Sequence, residues 1–589
     1  MNAFKAPKLP FLLGKTAYLP AVLLIGACAN FAPAPAPMAQ LKPASSGSLQ
    51  ACTNLGAVFT HPNTNIASAS PVAAGALKMG GRDIAEHCLV KGAMFQRKGT
   101  DGQDYAIGFE ARLPTAWNGR FYYQANGGLD GVVQPALGAL GGGPVTGALM
   151  QGFAVISSDA GHAQNQLPKF GEELQARLDY GYEAVGKLTP MAKALIASAY
   201  GRAPDRSYIG GCSNGGRHAM VAASRYGDQY DGYLIGAPGY RLPNAALAQL
   251  WAVPQWAALA TPGATMPHPF APPAAGAKIA DLNTALTAAE RATVANAVLA
   301  KCDALDGAKD GLIQDSTACQ AAFNLARDVP TCTASRDGTC LTSAQKRVLA
   351  AVHAGGKTSA GQTIYSPFAF DAGIAGANWA AWKFVNSQVL DPGAGSVFMT
   401  PARKIDPFLM NPAAVDAGYT AIFATDATFK ESADSMMTPP GKENPTNLAA
   451  LKQRGAKMML YHGQSDAIFS ATDTRAWMGR LAAAVPNSAE FAKYYPVPSM
   501  NHCSMGPAAD QFDMLTPLVQ WVEQGIAPAA ITATARGVGN AGGVNAELAQ
   551  LAATRDWGAN RSRPLCAHPL VAQYKGAGSL DEASSFMCR

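Results

Sequence analysis

Gly211-Cys212-Ser213-Asn214-Gly215 sets a serine between two glycines in the pattern G-x-S-x-G. The chemistry this pattern serves is nucleophilic attack. The serine sits on a sharp turn from strand to helix, small neighbours relieve the crowding, and the hydroxyl is presented at the helix N-terminus. The context agrees, because Ser207 to Gly210 reads as a strand and Gly216 to Tyr226 as a helix. Ser213 is therefore the expected nucleophile, and chance occurrence of a Gly- and Ser-rich pentapeptide is the alternative. Arg217 and His218, on the helix that follows, read as structural.

Such a serine needs a base, and the base needs a group to orient it. Where G-x-S-x-G opens a helix after a strand, the order along the chain is serine, acid, histidine, with the partners on loops after later strands. Lys457 to Tyr461 reads as a buried strand running on through His462-Gly463-Gln464-Ser465-Asp466, which puts Asp466 on the loop where the acid belongs. Tyr494 to Val497 is the next strand, and His502 lies on the loop after it. His462 falls within a strand end and reads as a satisfied structural histidine. Cys212 directly precedes Ser213 and Cys503 directly follows His502. A bridge between them would hold their Cα atoms about 5.5 Å apart, with nucleophile and base each one step of about 3.8 Å away. Two buried free thiols are the competing reading. The developing oxyanion needs two backbone N–H donors. Asn214 is expected to supply one and Gly128, in Gln124-Ala125-Asn126-Gly127-Gly128, the other. Gly127 fits the spacing as well, and a plain flexible turn is the alternative.

The elements that must carry these residues follow a regular alternation. Phe121-Tyr122-Tyr123, Phe153 to Ile156 and Gly232 to Gly236 read as strands, and Leu178 to Ala199 and Gly216 to Tyr226 as helices. Alternation of this kind argues for a parallel α/β sheet. The chain of 589 residues is 48% hydrophobic and 15% charged, enough apolar material for a large core and too little charge for disorder. Its 60 glycines follow no Gly-X-Y period, which excludes collagen. A net charge of +6, partly from Lys5, Lys8 and Lys15, with no long basic run, gives nucleic-acid binding little support.

Those three lysines precede the apolar stretch Thr16 to Ala27, which reads as an export signal over residues 1–27, too short for a membrane span. Its end, Ile25-Gly26-Ala27-Cys28, is lipobox-like and makes Cys28 a candidate lipid anchor, an incidental cysteine being the alternative. Residues 28–50 are Ala/Pro-rich and read as a semi-extended tether, which suits a monomer. Of 11 cysteines, setting Cys28 aside leaves ten, an even number that suits disulfides in an oxidising compartment. Short separations make Cys302/Cys319, Cys332/Cys340 and Cys566/Cys588 attractive local pairs, although spacing alone does not assign them. A zinc site is disfavoured because no C-x-x-C pair or spaced histidine accompanies them.

Taken together, Gly211 to Gly216 (G-C-S-x-G-G), Gly463 to Asp466 (G-x-S-D) and Asn501 to Cys503 (N-H-C) resemble the tannase and feruloyl esterase family. The resemblance implies an α/β-hydrolase core, residues 51–239 and 447–589, interrupted by a large lid at 240–446. It implies ester hydrolysis on flat aromatic acyl groups of feruloyl, galloyl or terephthaloyl type. It also implies five bridges: Cys52–Cys88, Cys212–Cys503, Cys302–Cys319, Cys332–Cys340 and Cys566–Cys588. A structural calcium ion in the lid is implied at Asp303, Asp306 and Asp310, with the carbonyls of Ala308 and Leu312. From the residues alone, three carboxylates within eight positions suit a hard cation, but an acidic turn without metal is the preferred reading. Trp382, Phe469 and Phe398 are the implied aromatic contacts to substrate, and each also suits ordinary core. Members that take a half-ester with a free carboxylate need a cation to hold it. Gln388 to Met399 carries no arginine, and Arg403 is a distant substitute.

Activity is expected to rise with pH, since only the neutral imidazole is a base. Three rivals are a peptidase on the same core, a non-catalytic surface lipoprotein and a calcium-dependent adhesion module. A peptidase on this core is expected to bring a propeller or a cap of different composition, and the other two do not explain serine, acid and histidine arriving in that order.

Overall fold

The computed structural model describes residues 40–138, 147–399, 401–423 and 448–589. The signal at 1–27, Cys28, most of the tether and the boundary at 446 lie outside them.

One nine-stranded sheet organises the molecule. Its strands are β1 (Thr64–Val72), β2 (His87–Lys98), β3 (Asp104–Pro114), β4 (Arg120–Gln124), β5 (Ala154–Ser158), β6 (Arg206–Cys212), β7 (Gly232–Gly236), β8 (Lys457–Gly463) and β9 (Ala492–Val497). Across the sheet the order is β9-β8-β7-β6-β4-β5-β3-β2-β1. From β9 to β5 every neighbouring pair is parallel, whereas β5/β3, β3/β2 and β2/β1 are antiparallel.

The central strands are short apolar runs because they are covered on both faces. Alternation by two divides their side chains between the faces. Phe121, Tyr123, Ile209, Tyr233, Ile235, Met458 and Leu460 enter one core cluster. Tyr122, Tyr208, Leu234, Met459 and Tyr461 enter the other. Helices α1 (Ala184–Tyr200) and α2 (Asn214–Arg225) cover the first face. The expected helix from Leu178 is interrupted at its start, where Asp179–Glu183 forms a π-helical turn. That wider turn leaves the carbonyls of Tyr180 and Gly181 to the Arg217 guanidinium, at 2.9 Å each.

Between β7 and β8 no described residue joins the main sheet. This stretch contains α3 (Leu242–Ala257), α4 (Ala288–Cys302), α5 (Ser343–His353), α6 (Pro412–Phe423) and a small ribbon of Thr265–Pro267 with Lys278–Ala280. The inner face of α3 joins two apolar clusters, one with α4 and α5 and one with Phe398 and Phe469. Beyond β8 come α7 (Ala471–Ala484) and α8 (Leu515–Gln524), then an antiparallel pair, Ala530–Thr534 with Ser562–Cys566.

All five bridges are formed: Cys52–Cys88, Cys212–Cys503, Cys302–Cys319, Cys332–Cys340 and Cys566–Cys588. Among the described residues no helix is long and apolar enough to cross a membrane.

A buried ion pair fastens α8 to the sheet. Glu523 takes two 2.7 Å bonds from the Arg120 guanidinium and one of 2.8 Å from the Tyr208 hydroxyl. Burial pushes the Glu523 carboxyl up, but these donors and the Ala44 N–H outweigh it and hold the group below its ordinary value. A depressed folded value contributes stability above the unfolded carboxyl's pKa and loses it as pH falls through the folded one. Replacing Glu523 by Gln is therefore expected to cost about 2 kcal/mol at neutral pH, because the partly buried Arg120 loses its carboxylate partner. The penalty should shrink in acid. Urea melts at pH 7 and pH 3 check both, and an equal penalty at the two pH values would contradict the assignment.

Candidate active site

Ser213, Asp466 and His502 follow the C-terminal ends of β6, β8 and β9, neighbouring strands of the parallel half-sheet, apart from β7, which lies between β6 and β8. Open α/β sheets gather ligand-handling loops at this edge. Ser213 has φ 67° and ψ −125°, a conformation that non-glycine residues rarely take. The turn closes only because glycines flank it. A Cβ on Gly211 or on Gly215 would stand 2.2 Å from the Ala125 carbonyl oxygen, so β4's loop can approach the serine only where side chains are missing. Ser213 N–H donates to Gly236 O at 3.0 Å, and its carbonyl accepts from Gly239 N at 3.1 Å.

The hydroxyl oxygen lies 2.9 Å from His502 Nε2, and His502 Nδ1 lies 2.7 Å from Asp466 Oδ2. Asp466 Oδ1 accepts from the N–H groups of Ile468 and Phe469, both at 2.9 Å. His462, also fully buried, brings Nε2 to 3.2 Å from Asp466 Oδ2 while its Nδ1 meets Thr474 Oγ1 at 2.9 Å. Burial alone would raise the Asp466 carboxyl. The His502 charge and the hydrogen bonds from His462 and His502 reverse that and hold it well below the usual carboxylate range. A hydroxyl bonded to an imidazole whose far nitrogen is bonded to a carboxylate can pass its proton to that imidazole and attack an electrophilic carbonyl.

The loop carrying His502 is tightly held. Gly463 lets it lie across the Asp466 loop, since a Cβ there would stand 2.2 Å from Met500 O. Ser465 N–H donates to Met500 O at 3.1 Å. Glu547 takes bonds from Asn501 Nδ2 (3.1 Å), Gly506 N–H (2.8 Å) and Asn378 N–H (2.7 Å). Asn378 Oδ1 in turn accepts from His502 N–H at 3.3 Å. Neither Glu547 nor Asn378 stands in a motif, and only their place in the fold reveals them. The Cys212–Cys503 bond, with Cα atoms 5.9 Å apart, adds a covalent tie one residue from both Ser213 and His502.

Trp382 and Phe469 pack edge-on against the His502 ring at centroid distances of 4.7 and 5.5 Å. Phe398 belongs to the same apolar cluster as Phe469 and Leu129. A second π-helical turn, Ala381–Asn386, carries Trp382. The next residue, Lys383, is buried over the Phe368 ring at 3.9 Å, and burial lowers its ammonium to about 7, against the opposing pull of Asp391 and Asp466. Gly127 approaches the serine, its projected Cβ 3.9 Å from Ser213 Cβ, while the space beside Gly128 (φ 67°) is open.

In the acidic segment, Asp303 Oδ1 accepts from the N–H groups of Asp310 (3.1 Å) and Gly311 (3.0 Å). Asp310 also pairs with the Arg563 guanidinium, whose Nε lies 3.0 Å away. Asp306 Oδ2 is buried without a partner. Burial, then the charges of Asp310 and Asp303, push Asp306 up to about 7, although the Ala308 N–H works against them. Among the described residues no three acidic, imidazole or thiol side chains already form a metal cage.

The family model described as tannase and feruloyl esterase matches residues 88–589. The chain belongs to that family. Mono(2-hydroxyethyl) terephthalate hydrolase of Piscinibacter sakaiensis is 38% identical over 542 residues, 86% of this chain and 85% of that protein. A probable feruloyl esterase B-1 of Neosartorya fischeri is 26% identical over 497 residues, 81% of this chain and 82% of its own. Among solved structures, feruloyl esterase B from Aspergillus oryzae superposes with a TM-score of 0.69 at 22% identity, covering 91% of this chain and 99% of that one. Tannin acyl hydrolase from Aspergillus niger gives 0.64 at 20%, covering 92% and 96%. This member of the tannase and feruloyl esterase family has the α/β-hydrolase fold and is an esterase.

Cys212 and Cys503 are 291 positions apart, whereas Cys332 and Cys340 are 8 apart. Replacing the first pair by serines is expected to cost about 3 kcal/mol more than replacing the second, from the larger loop released in the unfolded chain. Guanidinium melts of the two double variants measure the difference, and equal losses would contradict it.

Proposed function

We propose that this esterase hydrolyses carboxylic esters of flat aromatic acids, of feruloyl, galloyl or terephthaloyl type, through an acyl-enzyme on Ser213. The observation that carries the reading is the unbroken hydrogen-bond chain from Ser213 through His502 to Asp466. His502 takes the hydroxyl proton as Ser213 attacks the ester carbonyl, and Asp466 keeps the imidazole in the needed tautomer and stabilises its cation. The N–H groups of Asn214 and Gly128 receive the oxyanion, each worth about 2.7–4 kcal/mol in comparable sites. The alcohol leaves with the proton held by His502. Water then attacks with His502 as base and releases the acid. Trp382 and Phe469 supply the apolar walls for an aromatic acyl group.

A second reading, true hydrolysis of a terephthalate half-ester, draws support from the Piscinibacter relative at 38% identity. Against it, Gln388 to Met399 carries no cation, Gln388 spends its Nε2 on the carbonyls of Phe384 and Ala280, and Arg403 is exposed. A buried carboxylate without a cationic partner binds poorly.

The same reading places a calcium ion, remote from the chemistry, at Asp303, Asp306 and Asp310 with the carbonyls of Ala308 and Leu312. The unpartnered Asp306 oxygen and the mutual repulsion of these acids suit a divalent cation, which supplies charge neutralisation there. Export accords with five disulfides and the signal-like N-terminus, and the lipobox-like Cys28 offers an anchor.

Replacing Ser213 by Ala should abolish hydrolysis of methyl ferulate, methyl gallate and mono(2-hydroxyethyl) terephthalate, a loss of at least about 10⁴-fold. Retained turnover in that variant would sink the acyl-enzyme. Among wild-type substrates, the uncharged methyl esters should exceed the half-ester in kcat/KM, and the reverse ranking would favour the second reading. Chelation is expected to lower Tm while leaving the initial rate at room temperature unchanged. A Tm insensitive to both chelator and added calcium would remove the ion.

A further inference from the structure

The loop between β4 and β5 and the N-terminus of α2 follow neighbouring strands but are distant in the chain, yet the expected oxyanion donors, Gly128 and Asn214, must face one point in space. One residue, Asp130, is bonded both to Gly127, next to Gly128, and to the Asn214 side chain. Asp130 N–H donates to Gly127 O at 3.3 Å, closing the turn that presents Gly128. Its carboxylate accepts from Asn214 Nδ2 and stands 3.2 Å from His218 Nε2. The Asp130 and His218 side chains are 2% and 3% exposed.

The groups that bond this carboxylate are themselves held. Asn214 Oδ1 accepts from Arg217 Nε at 2.6 Å and from the Tyr180 hydroxyl at 3.2 Å, so both ends of the amide are committed and its orientation is fixed. Burial, then the Arg217 charge, lowers the His218 imidazole, against the opposing pull of Asp130. Its Nε2 faces the carboxylate, an acceptor, so the N–H on that side is donated to Asp130. On the far side, Gly131 N–H donates to Asp159 O and Gly131 O accepts from Gln164 N–H, both at 2.9 Å, so the loop is anchored beyond Asp130 as well. Asp130 itself has φ 48°, an unfavourable backbone for a non-glycine residue, sustained by these contacts.

We propose that Asp130 is a positioning residue that sets the separation of the two oxyanion donors, through its backbone bond to Gly127 beside Gly128 and through its carboxylate's bond to the Asn214 side chain. The proposal rests on the acyl-transfer reading at Ser213. Donors fixed in advance stabilise charge that appears only in the transition state, so loosening them lowers kcat and spares ground-state binding.

The test is Asp130→Asn, which keeps size and the turn but cannot accept from both Asn214 and His218 through a charged group. With methyl ferulate, kcat should fall at least about tenfold with KM within about twofold of wild type. An arylboronic acid provides the second readout. Boron takes the Ser213 oxygen, the hydroxyl proton passes to His502, and the tetrahedral anion places an oxygen between the donors. Its inhibition constant should rise by a factor similar to the fall in kcat. Should Asp130→Asn not fold, Asp130→Glu, with the charge kept but displaced by one methylene, carries the same expectation. A folded variant with kcat changed less than about threefold, KM rising in step with the fall in kcat, or unaltered boronate affinity would each overturn the proposal. Failure of the underlying reading shows separately, as turnover that persists in Ser213→Ala.

Discussion

The covalent tie between Cys212 and Cys503 fixes the distance on which the rest of the site depends. Ser213 and His502 belong to loops that leave the sheet from strands separated by two others, so nothing within either loop by itself sets the distance between them. With the sulfurs joined one residue away from each, the hydrogen bond between them selects among few arrangements. The serine's left-handed backbone then becomes tolerable, since the structure on both sides of the turn is already determined. The glycines at 211 and 215 serve the same end from below, by letting the β4 loop reach the serine.

Polar groups buried beside this tie create a second demand. Asp466 is out of water, and an ionised carboxylate there is costly unless its lone pairs are filled. Two backbone N–H groups, His502 and His462 fill them, which is why the acid stays ionised and can support a cation on its neighbour. The layer outside repeats the logic: Glu547 organises the loop of Asn501 and His502, and Asp130 joins the β4 loop to α2. Each carboxylate links segments from different elements, so the site behaves as one framework of charges and donors rather than three separate side chains.

Much of this was legible in the sequence wherever the signal was local. The strands at Phe121, Gly232, Lys457 and Tyr494 are short, apolar and bounded by turn residues, and they form with small shifts of their ends. G-x-S-x-G, the two cysteines beside Ser213 and His502, and the order of acid and base rest on residues adjacent in the chain, and the fold brings them together. What stayed hidden depends on contacts between distant segments. The π-helical turns at Asp179 and Ala381 break helical periodicity by a single residue. Asp130 looks like an ordinary turn aspartate until Asn214 lies across it. His462 reads as a buried strand-end residue, and only the fold shows that its partner is Asp466. Residues 240–399 and 401–423 are a patchwork of short helices packed on one another by non-local apolar contact, and no motif announces which of their aromatics, Trp382 or Phe398, meets the imidazole.

The bridge between positions 212 and 503 also has a topological meaning. It closes a ring of chain containing the whole helical insertion and β8 with the Asp466 loop after it. A protease cutting once anywhere inside that ring would leave two pieces still joined, with serine and imidazole on opposite sides of the scar. Such a molecule would migrate as one species until its sulfurs were reduced, so an intact band on a non-reducing gel says nothing about continuity of the backbone.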